Sequence, residues 1–475
     1  MKRYQLVLLY PILFALLSGC GADADAYLQV SGEMARQNSE LSAASADSGE
    51  TVSGSAASSS EKELQGSLTV KTYWDEQIDV YIEDFIALHP GVSIERAGGG
   101  EGMLSFDSYI TQTSVELMSG NSADIIETDG MCVPRLAGSG IFCDLYPFMD
   151  SDPDFHREDY YTNLFESKEC EGKLYSLPCA FSYNMLYASK PLLEKTGLGL
   201  PQTLNYKQMM DIHQIVTEKT GEAPKLMPGL TPYTFFYYEF PEYYDVAAAS
   251  ASFLSPKFIE YLRLTKQNIP VLEESDLTRV GTDDSFLNKD YLFCNFDVTG
   301  GVDIFNFLYD FQNIQEPVPM VSTSGKAYFR TMRDYSIAAS SSNQQLAWEF
   351  LKFYVSEKEI PTDIHSDYAE KYAKKYNVFV PVNKKNFINS CRFAYQYYLP
   401  MAEKESLKAG DLNAAVEEAI ERMHGWNQQR NHEEAEGEIY GALSGDLSLY
   451  YEQNLLTAEE TAGKLQNRMT IFLKE

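Results

Sequence analysis

The chain is poor in the residues that most enzymatic motifs require. Its six histidines are scattered through 475 residues, and none falls at H-E-x-x-H or other zinc-ligand spacing, which removes the usual basis for a zinc hydrolase. No G-x-S-x-G elbow is present, so the nucleophile of an α/β-hydrolase has no candidate position. The Gly-rich run GGGEGM (98–103) lacks the Lys-Ser/Thr that a phosphate-cradling loop needs. No C-x-x-C pair occurs among the seven cysteines, so neither a thiolate metal site nor a dithiol redox motif is indicated. Basic residues are also scarce: 38 Lys and Arg face 69 Asp and Glu, a formal net charge of −31. Such a surface repels nucleic acid and anionic lipid, and neither is an expected partner. The apolar stretch Leu6–Leu17, broken by Pro11, falls short of the about 20 residues that span a bilayer.

What is present begins with that stretch. Lys2 and Arg3 precede it and small residues follow, the arrangement of a secretory signal over residues 1–19. Leu17-Ser18-Gly19-Cys20 resembles the lipobox of bacterial lipoproteins, which implies cleavage before Cys20 and a lipid on its sulfur. Residues 20–65 are then Ser, Ala, Gly and Glu with little to bury, too polar to repay the entropy of ordering. A flexible tether of that length spans roughly 35–40 Å. Cys20 therefore reads as an anchor and the Ser-rich run as its leash. Of the other cysteines, Cys170 and Cys179 flank a strand pair and could bridge; buried, unbridged thiols are the other reading.

The folded part alternates. Ser67–Trp74 has strand character, Ile78, Tyr81, Ile82, Phe85 and Leu88 recur at helical spacing, and Val92–Ala97 is a second strand. A helix over Ser105–Ser119 leads into the short buried strand DIIET, and strand-helix-strand-helix-strand predicts a parallel α/β sheet. Open sheets of this kind bind ligands outside the carboxyl ends of their strands. Further on, GKLYSLPCAFSYNMLYAS reads as two strand-like runs around Pro178, and the tail from Asp411 is mostly helical.

Six passages resemble, in order, those of bacterial extracellular solute-binding proteins of the carbohydrate type: FIALHPGVSIE, SGNSADII, GKLYSLP with YNMLYASKPLLEKTGL, PQTLNYKQMM, NQQLAWEFLKFYVSEKE and LTAEETAGKLQNRMTIFLKE. They cover nearly all of residues 67–475. Leu204, where that family often has Trp, and Ala188-Ser189 in place of Asn-Lys depart from the pattern. The resemblance implies an α/β, two-lobe, periplasmic-binding-protein-like (type II) fold with a hinge and a ligand cleft between the lobes. It implies crossings near Leu177–Phe181, Pro317–Val321 and Val378–Asn383. One lobe would then take 66–178 plus 320–377, the other 179–319 plus 378–475. It further implies a lipid-anchored monomer at the outer face of the cell membrane that delivers an oligosaccharide to ABC permease subunits, touching the membrane only through Cys20. No catalytic residue, metal or cofactor is called for.

A sugar offers flat apolar faces and a ring of hydroxyls, so a receptor needs aromatic planes and charged or amide partners. Trp74 and Asp75 end the first strand at the expected pocket edge, and Thr128 and Asp129 end the third. Phe181, Ser182 and Tyr183 follow the first crossing. Gly300 and Gly301 precede a predicted helix, whose first N–H groups could face the cleft. Tyr237, in an aromatic run with Tyr233, Phe235 and Tyr238, is a stacking candidate, as is Trp426. Arg333 could pair a ligand carboxylate or phosphate; a structural ion pair is the other reading, and for the aromatics it is core packing. Two other functions compete: binding of a non-sugar polar solute, or presentation of ligand to a sensor. An extracellular glycosidase would need a carboxylate pair such as Asp283-Asp284, but among 69 acidic residues such pairs arise by chance.

Overall fold

The computed structural model describes residues 63–73, 77–97, 105–222, 224–227, 230–246, 248–269, 291–303, 317–373, 379–398, 412–429, 432–433 and 437–474. Strand β1 (Gly66–Lys71) lies between β2 (Val92–Ala97) and β3 (Ile125–Glu127), parallel to both. The helix Ile78–Leu88 joins β1 to β2 and buries Ile78, Tyr81, Ile82 and Phe85, the face the helical spacing predicts. The helix Phe106–Ser119 returns to β3. Ser105 caps its start by accepting the Ser108 N–H, and Gly120 ends it at φ 73°, a left-handed turn that glycine adopts without strain.

The centre of the fold is one long strand, β4 (Leu177–Ala188). Of the two runs expected around Pro178, the one before it forms no strand; β4 begins at Leu177, which puts Pro178 at its start, where a missing N–H is tolerated. Beyond it come a two-stranded ribbon, β5 (Tyr244–Asp245) with β6 (Ser250–Ala251), then β7 (Phe293–Val298), β8 (Val318–Pro319), β9 (Tyr328–Ile337), β10 (Val380–Pro381) and β11 (His432–Glu433). The first half of β4, Leu177 to Ser182, pairs antiparallel with β9, which pairs in turn with β3. The second half, Tyr183 to Ala188, pairs with β7, and Met185 and Leu186 also pair with β8. One backbone therefore serves two ladders that meet between Ser182 and Tyr183.

Two cores follow from this. The first packs Leu68, Val70, Phe85, Trp348 and Phe350 around β1 and continues through Phe181, Tyr183, Met185 and Tyr187 to Phe387 and Cys391 of the helix Lys384–Tyr398 and Ile420 and Met423 of the helix Leu412–Gln429. The second takes Leu186 and Ala188 with Leu192, Met209, Phe236, Phe258, Leu443 and Leu465. Odd and even residues of β4 thus face different cores, as strand alternation requires. The same division falls between neighbours on β9, with Tyr328 in the second core and Phe329 in the first.

Local sequence sets the helix ends. Asn205 and Gln208 form a capping box at the helix Tyr206–Thr220, and Thr457 and Glu460 form another at Ala458–Phe472, reciprocal bonds that satisfy two orphan N–H groups each. The helix expected near Val302 opens as a single 3-10 turn, Gly301–Asp303. All six cysteines among the described residues are thiols. Cys170 and Cys179 therefore do not bridge; Cys179 is buried in the first core, whereas Cys170 bonds Lys173 across a turn. No helix among the described residues is long and apolar enough to cross a membrane.

Candidate functional site

The end of β3 is tied to β9 by one carboxylate. Asp129 accepts the Arg333 N–H at 2.8 Å and the Asp334 N–H at 2.6 Å. These bonds hold Arg333 at φ 58°, a left-handed backbone that costs a non-glycine residue on the order of 1–3 kcal/mol. The pairing of β4 with β9 skips this point: Pro178 pairs with Asp334 and Ala180 with Met332. Burial, then the neighbouring Asp334 and Glu127 carboxylates, push the Asp129 pKa well above the ordinary carboxylate value, while the two backbone bonds pull it the other way. Thr128 is buried, its hydroxyl 2.7 Å from Ser176 Oγ and its N–H donating to the Asp334 carbonyl.

The other sequence candidates are distributed as follows. Cys20, Trp74, Asp75 and the Gly-rich run lie outside the described residues; Tyr73 packs its ring against Phe106 and Tyr109. Phe181, Ser182 and Tyr183 are buried where the two ladders meet, Phe181 edge-on to Tyr161 at 5.7 Å. The N–H of Gly300 donates to Asp303 Oδ2 at 2.8 Å, as does that of Thr299, so this turn closes on itself. Burial raises the Asp303 pKa to about 6. Tyr237 falls in the short helix Phe236–Glu239. Trp426 packs against the first core with the Arg422 guanidinium over its ring. Among the described residues of the set, Asp129 bonds the Arg333 N–H, and the Phe181 and Tyr183 rings stack at 6.1 Å.

Beside Arg333 lies a cavity of about 40 Å³. Its floor is Cys179 and Ala180 of β4 with Pro381 of β10, and its walls include Gln77, Tyr81, Arg333, Tyr354 and Lys358. Tyr81 and Tyr354 stack at 4.0 Å, and the Arg333 guanidinium sits over the Phe379 ring at 4.7 Å. Lys358 donates from Nζ to the Phe353 carbonyl at 2.5 Å and to Ser356 Oγ at 3.2 Å, with the Phe353 and Tyr81 rings beside it. Burial lowers its pKa to about 7, against the upward pull of Asp84. Asn386 seals the edge, accepting the Lys358 N–H and donating to the Ser356 carbonyl. Sequence reasoning missed Lys358 because it stands in Glu357-Lys358-Glu359, a run indistinguishable from a solvated face. The arrangement offers aromatic planes, amides and cations beside the first core, where β4 pairs with β9.

Residues 71–360 match the family described as bacterial extracellular solute-binding protein. Among solved structures, the chain is similar to the sugar-binding protein MalE from Xanthomonas citri, with TM-score 0.55, 13% identity, and 86% of this chain and 98% of that one covered. A family 1 extracellular solute-binding protein from Alicyclobacillus acidocaldarius matches with TM-score 0.53, 15% identity, and 87% and 100% covered. The cyclic alpha-maltosyl-1,6-maltose binding protein from Arthrobacter globiformis gives 0.51, 16%, and 86% and 99%. At these identities the likeness shows the fold, a two-lobe α/β architecture of the periplasmic-binding-protein type. No curated protein sequence matches the chain.

Proposed function

Because the chain belongs to the family of bacterial extracellular solute-binding proteins, we propose that it captures a carbohydrate, an oligosaccharide by preference, and delivers it to the permease of an ABC importer. The observation that carries this reading is β4. Its two halves belong to separate ladders and its two faces to separate cores, the arrangement expected of a strand joining bodies that close on a ligand. Sugar-binding proteins share this fold, and the aromatic and cationic groups around the cavity beside Arg333 suit the polar substituents of a sugar. Ligand stabilises the closed state through its differential affinity for it. The chain acts as a monomer, with lipid on Cys20 and residues 21–65 as the tether. Trp74 and Asp75, which follow β1 in the sequence, take part in ligand binding with Arg333.

Thermal unfolding of the full chain against oligosaccharides, with peptides and polyamines as controls, tests the reading. Ligand at a hundred times its dissociation constant adds about 2.7 kcal/mol, a shift of a few degrees. A shift with peptides or polyamines and none with any glycan would overturn it. For the anchor, Cys20→Ala should release the protein from the cell surface into the medium; retention by the variant would refute lipidation.

A further inference from the structure

Several interior cations among the described residues bond carboxylates. Lys71 bonds Glu116 at 2.5 Å, Lys168 bonds Asp334 at 2.6 Å, and Lys352 bonds Asp152 at 2.7 Å. Lys358 has no carboxylate among the described residues within ion-pair distance; its contacts are a carbonyl, a hydroxyl and two rings. An ammonium has three N–H donors, and these contacts engage two. Leaving a cation in such surroundings without a counter-charge is costly unless something supplies one. A second cationic side chain, Arg333, lines the same cavity, and its backbone there is in the left-handed region with its N–H bonded to Asp129. A strained residue held at a cavity wall points to a ligand contact.

Size narrows the ligand. A water-sized probe occupies about 10–15 Å³, so the cavity of about 40 Å³ holds roughly three such groups. That suits a planar carboxylate and is too small for a sugar ring. The stacked Tyr81 and Tyr354 give one wall the flat character that a planar group prefers.

We propose that this cavity is an anion subsite which takes the carboxylate of an acidic saccharide, with Lys358 and Arg333 as its partners. The inference rests on the carbohydrate-binding reading and narrows it to sugars that carry a carboxylate.

The test is titration calorimetry on the full chain with oligouronates, their neutral counterparts of the same linkage, and sugar phosphates. Each is repeated with Lys358→Met, which retains a side chain of similar length among the rings, and with Arg333→Gln. The uronate should bind at least tenfold more tightly than its neutral counterpart, the size of one charge-assisted bond. Each substitution should reduce that ratio to within about twofold, with circular dichroism confirming that the variants fold. Equal binding of uronate and neutral sugar, a preference for the phosphate, or a uronate preference that survives both substitutions would overturn the subsite while leaving carbohydrate binding intact. Binding of no saccharide at all would overturn both.

Discussion

Lys358 permits a quantitative test of the cavity without any ligand. In the folded protein its amine titrates near 7, against the ordinary lysine value of 10.5, chiefly because burial penalises the ammonium. Between those two values the unfolded chain binds the proton and the folded chain does not, so stability rises as pH rises from about 7 towards 10.5. Over the interval from pH 7 to pH 9 this linkage is worth at most about 2 kcal/mol. Lys358→Met removes it. Urea unfolding followed by the fluorescence of Trp348, which is buried in the first core, should show the wild type gaining about 2 kcal/mol over the variant between the two pH values. Cys143 and Cys391, whose thiols burial also pushes up, contribute equally to both proteins and cancel. Parallel pH profiles would refute the reasoning, because they would place the Lys358 amine in solvent and the cavity wall elsewhere.

Other expectations follow from single contacts. In Gly301→Ala the new Cβ would lie 2.5 Å from the Ser390 carbonyl carbon and 2.6 Å from its oxygen; since helix backbone yields poorly, calorimetric unfolding should show a loss of about 1–3 kcal/mol. At position 333, φ 58° makes Arg333→Gly more stable than Arg333→Ala by about 1 kcal/mol, while both lose the affinity for acidic saccharide. Equal stability of the two would mean the backbone relaxes when the side chain goes. Glu239 accepts the Thr323 N–H and hydroxyl, and burial raises its pKa to about 7. The fold therefore holds a proton that the unfolded chain releases above about 4.5, so stability falls as pH rises from 4.5 to 7. Glu239→Gln should flatten that fall in urea titrations at pH 5 and pH 7.5.

The first sheet was legible in the sequence because its signals are local. Ile78, Tyr81, Ile82 and Phe85 show the helix by spacing alone, and Gly120 and the two capping boxes mark boundaries that side chains themselves enforce. The run before Pro178 misled: its residues read as a strand, yet they form an isolated bridge, Cys170 with Lys173, and β4 starts at Leu177. The binding groups were less legible. Thr128 and Gly300 have the residue types and positions of a ligand rim, yet their polar atoms close on Ser176 and Asp303, contacts 48 and 3 residues away. Arg333 was read from charge and position, but its left-handed backbone depends on Asp129, 204 residues earlier. Nothing local distinguishes Lys358 from its acidic neighbours, because its surroundings are assembled from the helices Ile78–Leu88, Gln344–Val355 and Lys384–Tyr398.

The thiols bear on how such a chain survives in an oxidising medium. Attack on a disulfide or peroxide requires the thiolate, not the thiol. Burial raises the pKa of Cys143, Cys170 and Cys391, with the Glu171 charge adding to the effect at Cys170, and Cys132 and Cys179 are enclosed in the cores. At neutral pH Cys143, Cys170 and Cys391 therefore present less thiolate than a cysteine in water, and they react slowly with oxidants. Chemical inertness through packing replaces cross-linking as the protection.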